Sequence, residues 1–354
     1  MNFKKTVFLM TIAGFLFASC DNDNDNEPIL PKGNYDNGIL IANEGAFSGG
    51  TGTVNFISND YTITEEKVYS KVNNENLGTI LQSIGFNNDD AYLIANVGNK
   101  ITVADRFTME KITEITSNLN NPRYIAFANG KGFVTNWGDG SDPEDDYVGV
   151  IDLETNLIVS EILVAEGPEQ IIANGNFLYV SHKGGFGSGN TVSVINAATN
   201  TVVTSISVGD IPDELAIDTS GNVLVSCEGK AETSWNPKEV LGSLVTINTT
   251  TNKVGATLNF ASGFHPNGMV LNEGSIYLST SNSVYKMAES ATSIPASAII
   301  KTAVYGISVN ENKVYITDAK NFQDNGSLKI FDASTSNELQ DFTVGLIPGK
   351  IYFN

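Results

Sequence analysis

Few side chains in this 354-residue chain are suited to chemistry, and they recur at two kinds of position. The first kind is a Gly- or Asp-rich break between apolar runs. Both tryptophans (Trp137, Trp235), both histidines (His182, His265), Lys183, Phe186 and Phe322 stand in or beside such breaks. The second kind follows a Pro, with two residues before the next apolar one. Examples are Pro122-Arg123-Tyr124-Ile125, Pro168-Glu169-Gln170-Ile171, Pro212-Asp213-Glu214-Leu215, Pro266-Asn267-Gly268-Met269 and Pro348-Gly349-Lys350-Ile351, with Tyr305 in the matching place before Gly306-Ile307. Glu169, Asp213, Glu214 and Asn267 carry oxygens of the type that hold Ca²⁺. They would have to converge from separate units to do so, and the plainer reading is solvated polar residues at strand ends. The loop Trp137–Asp146 is acidic but lacks the D-x-[DN]-x-[DN]-G spacing, so it reads as a solvated loop. G-x-S-x-G, H-E-x-x-H, a Cys-rich metal set and a Gly-rich loop opening a helix do not occur. We therefore expect no catalytic residues and no resident metal, with Ca²⁺ as the one cofactor candidate.

The elements that must position these residues are best seen from Gly167 to Gly209. Four short runs, EQIIA, FLYVS, TVSVI and TVVTSISV, alternate with period two and are β-branched or aromatic. Asn-Gly, a Gly-rich loop and Ala-Ala-Thr-Asn separate them, so the stretch reads as a four-stranded antiparallel meander. One meander leaves its faces bare, and the chain repeats it. The apolar residue opening each first run is Ile84, Ile125, Ile171, Leu215, Met269, Ile307 and Ile351, at intervals of 41, 46, 44, 54, 38 and 44 residues. Four strands per period of this length predict an all-β protein, a seven-bladed β-propeller with loop insertions.

The first unit, residues 38–78, supplies only three runs: GILIANEGAF, GTVNFISND and ITEEKVYSKV. The last run, PGKIYFN, matches the innermost strand of the other units, so the C-terminal strand is expected to pair with the N-terminal blade and close the ring. That removes the exposed edges of an open sheet. Insertions fall between second and third strands, on the same rim as the connections into each first strand. Arg123, Tyr124, Trp137, Glu169, His182, Lys183, Phe186, Asp213, Trp235, His265, Asn267, Tyr305, Phe322 and Lys350 are thus expected around one mouth of the central channel as ligand-binding residues. Aromatic residues in long polar loops have no core to fill, which favours this over loops that merely collect irregular residues.

The chain carries 40 acidic and 20 basic residues, a net charge of −20. Such a surface repels phosphate backbones, so no nucleic-acid partner is expected. At the N-terminus, Lys4 and Lys5 precede an apolar stretch, Val7–Phe17, too short for a comfortable span. Ala18, Ser19 and Cys20 follow, then the wholly polar Asp21–Pro28. Residues 1–19 are expected to be a signal peptide, 20–36 a lipidated Cys20 with a disordered acidic tether, and 37–354 the propeller. Removal of residues 1–19 takes two lysines and brings the charge to −22. Cys227 is then the sole remaining cysteine, in an apolar run, and reads as a packing residue.

These segments also carry resemblances. NTVSVINAATNTVVTSISVGD and YVGVIDLETNLIVSEILV resemble the YVTN/YncE-type propeller repeat. The N-terminus resembles a bacterial lipoprotein signal, with Phe17 where Leu is usual, and the acidic tether resembles the surface-export signal of Bacteroidetes lipoproteins. ILIANEGAFSGGTGTVNFIS is similar to the opening of Bacteroidetes surface lipoproteins that include the BtuG-type cobalamin binders. The resemblance implies a non-catalytic lipoprotein of the outer membrane, facing the cell surface or alternatively the periplasm. It would bind a small ligand, a corrinoid such as cobalamin in the BtuG-type case, and assist a TonB-dependent transporter. Two other readings stay open: a metal-dependent hydrolase or lyase at the channel mouth, and a protein-interaction platform.

Overall fold

The computed structural model describes residues 30–354. The expected signal segment, Cys20 and the tether up to residue 29 lie outside the described residues. The remaining chain forms seven four-stranded antiparallel sheets, the seven blades of a β-propeller. In the fourth blade the strands run, from the innermost outward, Pro168–Asn174, Phe177–His182, Thr191–Asn196 and Thr201–Ser207. Period-two alternation gives this blade two apolar faces. Leu178, Val180 and Ile195 pack against Phe133, Val148 and Val150 of the third blade. Tyr179, Val192 and Val194 pack against Val223, Val225 and Val245 of the fifth. Each meander thus buries its faces only against its neighbours, at about 1.5–3 kcal/mol per large side chain.

One turn recurs because one sequence recurs. Five of the seven third strands end in Asp or Asn, and in most of these the side chain accepts backbone N–H bonds two and three residues on. Asn196 Oδ1 accepts from Ala198 at 2.9 Å and Thr199 at 3.2 Å. Asp152 does the same for Glu154 and Thr155, and Asp332 for Ser334 and Thr335. The next residue, Asn156, Asn200 or Ser336, takes a left-handed φ between 53° and 62°. Such Asx turns are cheap for Asn and explain why D/N-x-x-T-N/S punctuates the repeat.

The ring closes as the sequence implied. Pro348–Phe353 pairs with Gly38–Asn43, with Ile351 opposite Ile41, as the innermost strand of the first blade. The outer strand of that blade departs from expectation. Of ITEEKVYSKV only Thr64–Glu65 is strand, and Val68–Asn73 forms a short helix. Lys67 breaks the strand with a left-handed φ of 56°, and the helix buries Val68 and Tyr69. Cys227 is buried, as expected of a packing residue. Among the described residues no helix is long and apolar enough to cross a membrane.

Candidate functional site

The Pro-x-x-apolar spacing is a β-bulge. Pro168 pairs with His182 but Ile171 with Val180, so the innermost strand carries an extra residue. Pro122/Ile125 and Pro212/Leu215 slip in the same way against their second strands. Bulges re-aim side chains where a ladder would hold them in register, and here they turn Arg123, Glu169 and Asp213 into the mouth of the channel. A buried hydroxyl on the second strand holds the bulges of the third and fourth blades. Thr135 Oγ1 accepts from Tyr124 N–H at 3.1 Å and donates to Glu169 O at 2.8 Å in the next blade. Ser181 Oγ likewise accepts from Gln170 N–H and donates to Asp213 O, at 3.1 and 2.8 Å. The bulges are therefore bonded blade to blade around the mouth.

They line a cavity of about 730 Å³. Ten of the fourteen residues expected there meet in it: Arg123, Tyr124, Trp137, Glu169, Lys183, Phe186, Asp213, Asn267, Tyr305 and Lys350. Below it the channel continues as a space of about 280 Å³, walled by Ile84, Ile125, Ile171, Met269 and Ile307 with Glu214. Four expected residues lie elsewhere. His182 ends its strand with a buried ring, its Nε2 2.8 Å from Ser193 Oγ, so it faces the blade and not the mouth. Burial pushes its pKa down to about 4, which keeps it neutral. Trp235 is 95% exposed at the tip of the fifth-blade insertion. His265 braces that insertion, with ring nitrogens 2.8 Å from Glu228 O and 3.1 Å from Glu239 Oε1. Phe322 lines a separate groove of about 250 Å³ and meets Tyr305 edge-on at 5.5 Å.

Sequence reasoning overlooked Glu44 and Asn96, which also line the cavity. Their signal was available. Each directly follows the last residue of its second strand, as do Trp137, Lys183 and Glu228.

The cavity's charges are bound to one another. Arg123 forks onto Glu169, with Nε–Oε2 at 2.9 Å and NH2–Oε1 at 2.7 Å, and its third arm donates to Gln82 Oε1 at 2.6 Å. The same guanidinium lies 4.2 Å from the Trp137 ring centroid, and Trp137 meets Phe186 edge-on at 6.2 Å. Lys183 Nζ bridges Asp213 Oδ2 and Glu228 Oε1, both at 2.6 Å. Lys350 donates to Glu214 Oε1 at 2.8 Å. Burial works against the Asp213 charge, but Lys183 and Lys350 more than offset it and hold its carboxyl below the usual range. For Glu228, burial and then the Asp213 charge outweigh Lys183 and push the carboxyl up to about 7. Glu228 therefore keeps its proton up to near neutral pH while Asp213 is held ionised beside it. Among the described residues no group of three or more His, Cys, Asp or Glu is placed to hold a metal ion. Glu169, Asp213 and Glu214, the carboxylates weighed for Ca²⁺, each have a lysine or arginine as partner.

Fold and site together define a propeller with a preformed cavity, aromatic-walled and internally ion-paired, at one mouth of its channel. The chain belongs to the family described as Domain of unknown function (DUF5074), whose model matches residues 37–353. No curated protein matches the chain. Among solved structures it is similar to a quinonprotein alcohol dehydrogenase-like protein from Bacteroides thetaiotaomicron, at 15% identity and a TM-score of 0.66 over 90% of this chain and 78% of that one. It is also similar to hydrazine synthase of Kuenenia stuttgartiensis (14%, TM-score 0.57, 73% and 85% covered) and to AztD of Citrobacter koseri (12%, 0.55, 89% and 96%). At these identities the likeness is one of fold.

Proposed function

We propose that this protein captures a small polar ligand in the mouth cavity and releases it unchanged. One observation carries the reading: a cavity of about 730 Å³ is already formed, with each of its cations bonded to carboxylates rather than held ready for a reaction. Preformed concave sites lined by aromatic groups and a few fixed polar ones suit binding. Trp137, Phe186, Tyr124 and Tyr305 supply the apolar contact, and Gln82, Asn96 and Asn267 the neutral hydrogen-bonding groups. The lipobox-like Cys20 and the acidic tether support an anchored protein at the outer membrane, facing outward. The resemblance to BtuG-type openings makes a corrinoid the first ligand to try, and delivery to a TonB-dependent transporter the purpose of capture.

Calorimetric titration of the purified protein with cyanocobalamin tests this. Saturable heat, a raised unfolding temperature, and loss of both in Trp137→Ala/Phe186→Ala are expected. A flat titration rejects the corrinoid version. Binding that survives the double substitution rejects the cavity as the site.

A further inference from the structure

We infer that the ligand enters this cavity by a positively charged or N–H-donating group seated on Glu44, and that anionic ligands are turned away. The inference rests on the reading of the cavity as a binding site and adds its charge selectivity.

The pairing of charges around the mouth is lopsided. All three cations that line it are occupied: Arg123 by Glu169, Lys183 by Asp213 and Glu228, Lys350 by Glu214, at 2.6–2.8 Å. A phosphate or carboxylate ligand would have to compete with a carboxylate already bonded to each of them, and would enter among lining carboxylates that outnumber the cations. Negative charge, by contrast, is in surplus. Lys183 serves two carboxyls. Glu44 forms no salt bridge among the described residues, and its Oε1 accepts only the Tyr305 hydroxyl, at 2.9 Å. It lines the mouth from the first blade, as does the exposed Phe47, and holds the Tyr305 hydroxyl. A partly buried carboxylate in a cavity that also has aromatic walls offers a cation both its charge and nearby ring quadrupoles. The cavity already uses the second attraction internally, where Arg123 lies over Trp137. An amide N–H donor satisfies the same oxygen without bringing charge.

Two probes share a ring and differ in charge: tryptamine and indole-3-acetate. Their binding to the purified full chain at pH 7.5 is measured by ligand-observed NMR at millimolar concentration, for wild type and Glu44→Gln. Tryptamine is expected to bind at least about tenfold more tightly than indole-3-acetate. Glu44→Gln, which keeps an acceptor for Tyr305, should lose about tenfold for tryptamine, as expected for a charge-assisted bond, with its unfolding temperature little changed. Equal or tighter binding of indole-3-acetate overturns the inference, as does tryptamine binding indifferent to Glu44→Gln, or no binding of either probe. If a corrinoid binds in the cavity while the indole pair fails or reverses, charge selectivity falls and ligand capture stands.

Discussion

Asp146, where the third-blade insertion rejoins the sheet, is a poorly served buried carboxyl. It is 1% exposed; Oδ1 accepts the Gly167 N–H at 3.1 Å and Oδ2 has no partner among the described residues. Burial, with the charges of Asp145 and Glu166, pushes its carboxyl up to about 7, against the Gly167 bond. An unfolded Asp titrates near 4. Below pH 4 the group is neutral in both states and costs nothing. From about pH 4 to 7 the unfolded chain loses its proton while the fold keeps it, so stability falls with rising pH and levels off above 7. Asp146→Asn, which keeps the acceptor, should raise stability by about 2–4 kcal/mol at pH 8 and leave it unchanged near pH 4. Urea unfolding at both pH values checks this; a variant less stable at pH 8 would show that the carboxylate is paired after all. Residues of this kind were only partly legible in sequence. Arg123, Glu169 and Asp213 could be placed because Pro marks their bulge. Glu44 was overlooked although it directly follows a second strand, because no Pro stands beside it to mark the mouth. His182 was misplaced by a single residue of strand length, enough to turn its ring from the mouth into the blade.

At the scale of elements, the bulge and its hydroxyl latch set the site's precision. Ser181→Ala leaves the Gln170 N–H and the Asp213 carbonyl unpaired, at a cost of about 2 kcal/mol, and frees Asp213 to shift under Lys183. Chemical denaturation should register the loss, and ligand affinity should fall although Ser181 does not line the cavity. Unchanged stability would mean that the latch is not maintained in solution. The strands themselves were the most legible elements, since alternation of Val, Ile and Tyr between Asx turns leaves little freedom. The outer strand of the first blade was not, because Val68 and Tyr69 suit a buried helix turn as well as an edge strand.

For the whole molecule, the ring is the scaffold and the mouth is its variable part. Deleting residues 348–354 removes the innermost strand of the first blade and exposes the edge of Gly38–Asn43. Cooperative unfolding should then be lost and self-association gained, as measured by calorimetry and sedimentation. The seven-fold repeat made the architecture readable because each blade must solve the same burial problem. The cavity was less readable, because it draws its lining from all seven blades, with the charge balance fixed only by their distances. The central claim is that the mouth cavity binds a small molecule. The direct measurement is mass spectrometry of compounds retained by the purified protein from a culture extract. Wild type is run beside Trp137→Ala/Phe186→Ala in the cavity and Trp235→Ala outside it. The account expects a compound held by wild type and Trp235→Ala and lost from the cavity variant. Equal retention by the cavity variant, or loss with Trp235→Ala alone, would contradict it.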